Sequence, residues 1–193
     1  MNLFINGEYK GYYNATERID DDFMRSWHGG DNDWDVIAQY GEIREGNARE
    51  WQRMMELVRR DQSNLSNYRR SARLLDMDNF IDYVLVNVYC GTRDWPHNNW
   101  RAARERGSRT GFRFYIWDAE HALAHTGNTL TSELGGGSEI AQIYQALVRS
   151  PEFRLRWADR AHKHLFNGGA LIDRTHNLNF GSSDGKCKAS FPT

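Results

Sequence analysis

The side chains able to do chemistry gather in one short segment, Gly91-Thr-Arg-Asp94-Trp-Pro-His-Asn98-Asn99-Trp100, and in a later acidic group, Asp118 with Glu120 and His121. Asp, Asn and Glu offer only oxygen ligands. Such a set suits a hard cation such as Mg²⁺, which keeps several waters and binds substrate phosphates. Trp95-Pro96 stiffens the first segment, because proline fixes its own φ and restricts the residue before it. An acid, an Asn five residues later, a hairpin and then a second acid is an order used for phosphoryl transfer. There the first acid accepts the proton of a hydroxyl nucleophile, and the amide and second acid hold metal on the phosphates. Asp94, Asn99 and Asp118 occupy those places in chain order. Taken singly, each acid reads first as a turn residue or a helix cap.

Other motifs carry less. His121 and His125 lie four apart, but the Glu of a zinc-protease helix signature is not between them. His162 and His164 are two apart and point different ways on a helix. Trp51 and Trp157 sit on apolar helix faces and read as core rather than as a sugar-stacking surface. The Arg-rich stretch Arg101–Arg113 reads as a solvated hairpin, with an acidic or phosphorylated partner as the alternative. There is no Gly-x-Ser-x-Gly elbow, Walker-type phosphate loop or dinucleotide fingerprint.

Composition narrows the class. The 193 residues suit one domain, and a hydrophobic share of 39% with 13% aromatics excludes a wholly disordered chain. A net charge of −1 gives no case for nucleic-acid binding through bulk charge. No apolar run approaches the roughly 20 residues of a membrane span, and no signal peptide is seen at Met1. Only Cys90 and Cys187 are present, which makes no disulfide framework, and Cys90 reads as a buried small hydrophobe. Of the 25 basic residues only four are Lys (Lys10, Lys163, Lys186, Lys188), and none stands where a phosphate-gripping lysine is wanted.

The elements that must position these groups follow from pattern. Asn6-Gly7 between Asn2–Ile5 and Tyr9–Ala15 predicts a hairpin, since both positions of a type I′ turn need positive φ. Asp20–Trp27 is expected as a short helix and His28–Asp33 as a loop. Asn47–Arg60 reads as an amphipathic helix opened by an Asn47/Glu50 capping box, with Trp51, Met54, Met55 and Val58 inward. Asp61–Arg70 reads as loop. Asp78–Tyr89 is expected as a buried helix, capped by Asp78 and stopped by Gly91, that feeds the Asp94 segment; its β-branched residues leave strand as an alternative. Asn98–Arg104 and Phe112–Asp118 read as a second hairpin, and Thr126–Gly137 as a functional loop. Ser138 and Ser150-Pro151 open two further helices, the second ended by Gly168-Gly169. A polar tail, poorly ordered by composition, is expected over 173–193, leaving residues 1–172 as one domain. The class is α+β, mainly helical after residue 40.

Three blocks then carry a resemblance. Phe4-Ile-Asn-Gly-Glu-Tyr-Lys-Gly-Tyr-Tyr-Asn-Ala-Thr-Glu17-Arg18-Ile-Asp, Asp94-Trp95-Pro96-His97-Asn98-Asn99-Trp100 and Ile116-Trp117-Asp118-Ala119-Glu120 are similar to the motifs of the CotH kinase family, the spore-coat protein H-like atypical protein kinases. The stretch Phe153–Arg160 with Phe166–Leu171 resembles that family's C-terminal helix, so the likeness runs over about residues 2–172. It implies a protein-kinase-like fold: mostly the helical large lobe, with a β-hairpin from the small lobe at the N-terminus. It also implies ATP, Mg²⁺ or Mn²⁺, and phosphorylation of Ser or Thr on a coat or surface protein. By motif, Asp94 becomes the catalytic acid/base. Asn98, Asn99, Asp118 and Glu120 become the metal side, and Glu17 and Arg18, in the hinge, the nucleotide side.

The resemblance further implies that most of the small lobe, with its phosphate-binding Lys or Arg, precedes residue 1. The expectation is therefore a piece with an exposed hairpin edge, prone to association. The family's setting is extracellular, cell-surface or spore coat. Two alternatives stay beside the phosphotransferase: a non-catalytic coat-assembly or binding module on the same fold, and a metal-dependent phosphoesterase using the same carboxylates.

Overall fold

The computed structural model describes residues 1–13, 15–29, 33–123, 132–166 and 168–171. His125, Cys187, Lys186, Lys188, residues 126–131 of the Thr126–Gly137 loop and the 173–193 tail lie outside these residues. Among the described residues the chain is α+β, with six α-helices and two antiparallel sheets.

The first hairpin forms as its turn dictates. β1 (Asn2–Ile5) and β2 (Glu8–Tyr12) pair around Asn6 and Gly7, whose φ values are 54° and 82°. These strands form a two-stranded sheet of their own, with Phe4, Ile5, Tyr9 and Tyr12 exposed. Asp20 then caps α1 (Asp21–His28) by accepting from the Phe23 amide at 3.1 Å.

The second sheet holds two strands that pattern alone leaves unassigned. Its order is β4 (Ile43–Glu45), β3 (Trp34–Ala38), β5 (Trp100–Glu105), β6 (Arg113–Ile116), all antiparallel. All five residues of β3 are buried, because the sheet is covered on both faces. Val36 and Ala103 face Met24 and Trp34 beneath α1, whereas Ile37 and Ala102 face the main core. A strand buried on both sides loses the polar–apolar alternation that marks strands in sequence. Its one acid, Asp35, is 2% exposed and is held by the Arg106 guanidinium at 2.8 Å and by the Asn47 amide N–H at 2.9 Å.

That interaction corrects the start of the next helix. Asn47 donates its backbone N–H and its Nδ2 to Asp35, so no capping box forms. Its Oδ1 accepts from Arg49 instead, and Glu50 pairs with Arg53. α2 (Arg49–Val58) nevertheless buries Trp51, Met54, Met55 and Val58 as its spacing demands. The region 61–70 is not loop throughout: α3 (Leu65–Ser71) occupies its end, capped by Asn64. Buried Gln62 donates to the carbonyls of Leu57, Val58 and Arg60 and so closes the end of α2. With Tyr68 the one large apolar side chain turned inward, α3 carries no stripe to read.

α4 (Met77–Cys90) starts one residue earlier than its pattern suggests. Asp76 is the cap, accepting from the Asn79 amide, and Asp78 lies in the first turn against Arg156. Gly91, at φ 57° and ψ 42°, ends the helix in the left-handed conformation. Cys90 is half-buried rather than core, and burial raises its thiol pKa. α5 (Glu139–Leu147) is capped by Ser138 and α6 (Pro151–Leu165) follows. Ser150 precedes α6 but makes no cap bond; its hydroxyl is buried and has no partner among the described residues. α6 stops at Leu165, before the glycine pair.

The main core joins α2, α4, α5 and Phe153 of α6 to Trp95, Trp100, Phe112 and Phe114. Trp51 stacks on Trp100 at 5.5 Å and meets Phe112 edge-on. Fully burying each such side chain contributes on the order of 1.5–3 kcal/mol.

Candidate active site

Three chain ends meet at one end of the four-stranded sheet. α4 ends at Cys90 and β5 begins at Trp100, so Asp94, Asn98 and Asn99 fill the turn between them. Trp100 pairs with Ile116, so Asn98 and Asn99 and the residues after Ile116 leave the β5–β6 ladder at the same end. The segment after Asp118 returns to α4, where the Leu123 N–H donates to the Cys90 carbonyl at 2.5 Å. Thus the Asp94 turn, the Asn98–Asn99 pair and the Asp118–Glu120 segment share one edge of the molecule.

Two tryptophans pin the turn. Trp95 is fully buried, and its Nε1 donates to the Tyr83 hydroxyl at 2.8 Å. Burial pushes the Tyr83 hydroxyl pKa strongly upward, which keeps it a neutral acceptor. Trp100 is fully buried at the far side. Asp94 and His97 therefore stand outward on a turn whose neighbours are fixed in the core.

The backbone of the site is unusual in one respect. Asp94, Asn99 and Asp118 have φ of 55°, 59° and 53°. Asn and Asp tolerate the left-handed region better than other side chains, yet three such residues in one place mark a shaped site. Asp94 and Asp118 are exposed and Asn98 and Asn99 half-buried. Among the described residues, none of these four side chains is committed to a hydrogen bond or ion pair. Glu120 lies 3.5 Å from His121 in an exposed pair.

Glu17 and Arg18 separate. Arg18 lines a cavity of about 300 Å³ with Ile19, Asp20, Arg44, Glu45, Arg101 and Trp117. Glu17 is absent from that lining and instead accepts from the Trp27 indole N–H at 3.2 Å. The cavity adjoins the acidic edge, since Trp117 directly precedes Asp118. Arg101 is not a solvated hairpin residue as the Arg-rich pattern suggests: it is 7% exposed, and its guanidinium lies 4.8 Å from the Trp117 ring centre. Burial and the nearby Arg44 cation lower its pKa, against the carboxylate of Glu42. Of this lining, motif reading passes over Arg44, and it gives Arg101 and Trp117 no place in the site. Arg101 carries a readable clue: it follows a large core tryptophan at the mouth of a strand.

The donor set of two carboxylates and two amides, with Glu120 nearby, is all oxygen and fits a hard divalent cation. No group of three or more His, Cys, Asp or Glu side chains able to hold a metal forms among the described residues, so a cation here would rely on amides and water. His125, the imidazole four residues beyond His121, lies outside the described residues.

The α+β chain thus carries an acid–amide turn and a second acid at the same end of the β5–β6 hairpin. The family model of the CotH kinase protein matches residues 1–178, and the chain belongs to that family. No curated protein and no solved structure matches the chain. No helix of the described residues is long and apolar enough to cross a membrane.

Proposed function

We propose that this protein is a kinase-like phosphotransferase. It takes a nucleotide, ATP by family, together with Mg²⁺ or Mn²⁺, and passes the terminal phosphate to a Ser or Thr hydroxyl of a protein. The protein-kinase-like two-lobed arrangement is part of this reading. The observation that carries it is the gathering of Asp94, Asn98, Asn99 and Asp118, none committed to a partner among the described residues, at one sheet end.

In this reading Asp94 orients the acceptor hydroxyl and takes its proton as the phosphoryl group leaves. Asn98, Asn99 and Asp118 would hold the cation, with Glu120 beside them, and the bound cation supplies neutralising charge on the phosphates. Arg18 reaches the nucleotide from the cavity wall. Glu17 acts one step removed, holding Trp27 and so the exit of the hairpin.

The sparse carboxylate set favours one other reading, a non-catalytic binding or coat-assembly module that keeps the fold. Incubation of the chain with γ-labelled ATP and Mg²⁺, with dephosphorylated casein as a generic acceptor, separates the readings. Label on protein supports the phosphotransferase. Free phosphate alone indicates a phosphoesterase, and neither product indicates the binding module.

A further inference from the structure

A buried charge normally has a partner. Taking a guanidinium out of water costs several kcal/mol unless an opposite charge and hydrogen bonds replace the solvent. Arg101 is such a buried cation. One of its nitrogens, Nη1, donates to the Gln39 side-chain carbonyl at 3.1 Å and to the Trp100 carbonyl at 2.8 Å. Its guanidinium carbon lies over the Trp117 ring, 4.8 Å from the ring centre. Among the described residues no carboxylate lies within ion-pair distance of it. The other two arginines of the same cavity differ: Arg18 has Asp20 at 3.6 Å and Arg44 has Glu42 at 2.8 Å. Glu45 lines the cavity too, so the wall is of mixed sign, with the uncompensated charge at Arg101.

Arg101 is also fixed in place. It sits in β5 opposite both Ala38 and Tyr115, so its backbone is held on two sides. Stacking on Trp117 and two neutral acceptors orient the fork and leave Nε and Nη2 without a carboxylate. A planar, pre-oriented guanidinium is the group best matched to a phosphate oxygen pair. The cavity of about 300 Å³ is ample for phosphate groups, and its lining includes Trp117, the residue before Asp118.

We propose that Arg101, with Arg44 and Arg18 around it, is the phosphate-binding group of this chain, in the role for which no lysine of the sequence is placed. The inference deepens the nucleotide reading and rests on it for the identity of the ligand.

Calorimetric titration of the whole chain with tripolyphosphate, ATP and adenosine, in EDTA so that no metal bridges the anion to the carboxylates, tests it. The parent should bind tripolyphosphate and ATP. Arg101→Gln should weaken both at least tenfold while leaving adenosine binding unchanged, and Asp118→Asn should not weaken tripolyphosphate. Where Arg101→Gln does not fold, Arg101→Lys and Arg44→Gln carry the test, each expected to weaken tripolyphosphate several-fold. Parent affinity for tripolyphosphate in these variants, or no tripolyphosphate binding by the parent, overturns the inference. ATP binding that survives Arg101 replacement overturns it while the nucleotide reading stands. Arg101-dependent tripolyphosphate binding with no gain from the adenosine moiety supports the anion site and removes the nucleotide reading.

Discussion

Asp118 and Asp94 differ in what their loss should do. Both lie in left-handed backbone, where Asn is tolerated and Ala costs roughly 1–2 kcal/mol. Asn therefore removes the charge with little disturbance of the fold. Asp118→Asn is expected to weaken Mg²⁺-dependent nucleotide binding about tenfold or more, read by calorimetry with and without metal. Unchanged metal-dependent affinity would remove Asp118 from the cation site. Asp94→Asn should leave that binding near parent level and reduce phosphate transfer by roughly 10²-fold or more, the usual contribution of a positioned general base. Equal turnover of the variant and the parent would assign Asp94 to the turn alone.

The elements hold these residues in place through packing. α4 delivers the Asp94 turn, and Phe80, Ile81, Val84 and Leu85 anchor it. Leu85 is buried but borders an open groove with Val86, Ile116 and Leu171. Its neighbours can relax into the space, so Leu85→Ala should cost about 2–3 kcal/mol, toward the lower end of large-to-small losses. A denaturant midpoint shift worth less than about 0.5 kcal/mol would place Leu85 on the surface and loosen the link between α4 and the site. Gly111 tests the other support. There the Phe112 N–H donates to the Leu74 carbonyl at 2.7 Å, and the Asp76 N–H donates back to Phe112 at 3.0 Å. A Cβ on Gly111 would meet the Leu75 and Asp76 backbone at 2.5–2.6 Å. Gly111→Ala should therefore destabilise by roughly 1–3 kcal/mol, as overpacking does. Its thermal midpoint checks this, and a parent-like value would show that β6 can shift away from α4 freely.

Across the whole molecule α6 is fastened to α4 by charge as well as by Phe153. Asp78 accepts from Arg156 at 2.6 Å, and Asp82 takes a two-pronged contact from Arg160, with His164 at 2.9 Å. The hydrogen bond from Arg156 holds the Asp78 carboxyl below its ordinary value of 3.8. A depressed acid stabilises the fold above its unfolded pKa, and the contribution fades as pH falls through the lower folded value. Both partners are substantially exposed, so the loss should stay below about 1 kcal/mol. Acid titration of stability should show it below about pH 4, and Arg156→Gln should flatten that part of the curve. An identical acid limb in the variant would show that this pair contributes nothing to holding α6.

Much of this was written locally. Asn6-Gly7 dictates its hairpin because few residues accept two positive φ values, and the stripe of Trp51, Met54, Met55 and Val58 dictates α2 because only one face can be buried. The Asp94–Asn99 and Asp118 motifs could be picked out because they are patterns of order and spacing, and the fold puts both at one end of the sheet. The tertiary structure alone decided what depends on partners far away in sequence. β3 is hidden because cover on both faces erases its alternation, and no capping box forms at Asn47 because Asp35 takes its backbone N–H. Glu17 turns to Trp27 rather than to the cavity. Arg101 looks like one more exposed cation in an arginine-rich hairpin until β3, β6 and Trp117 close around it. Burial is a property of the assembled sheet, and it is burial that turns that charge into a candidate ligand.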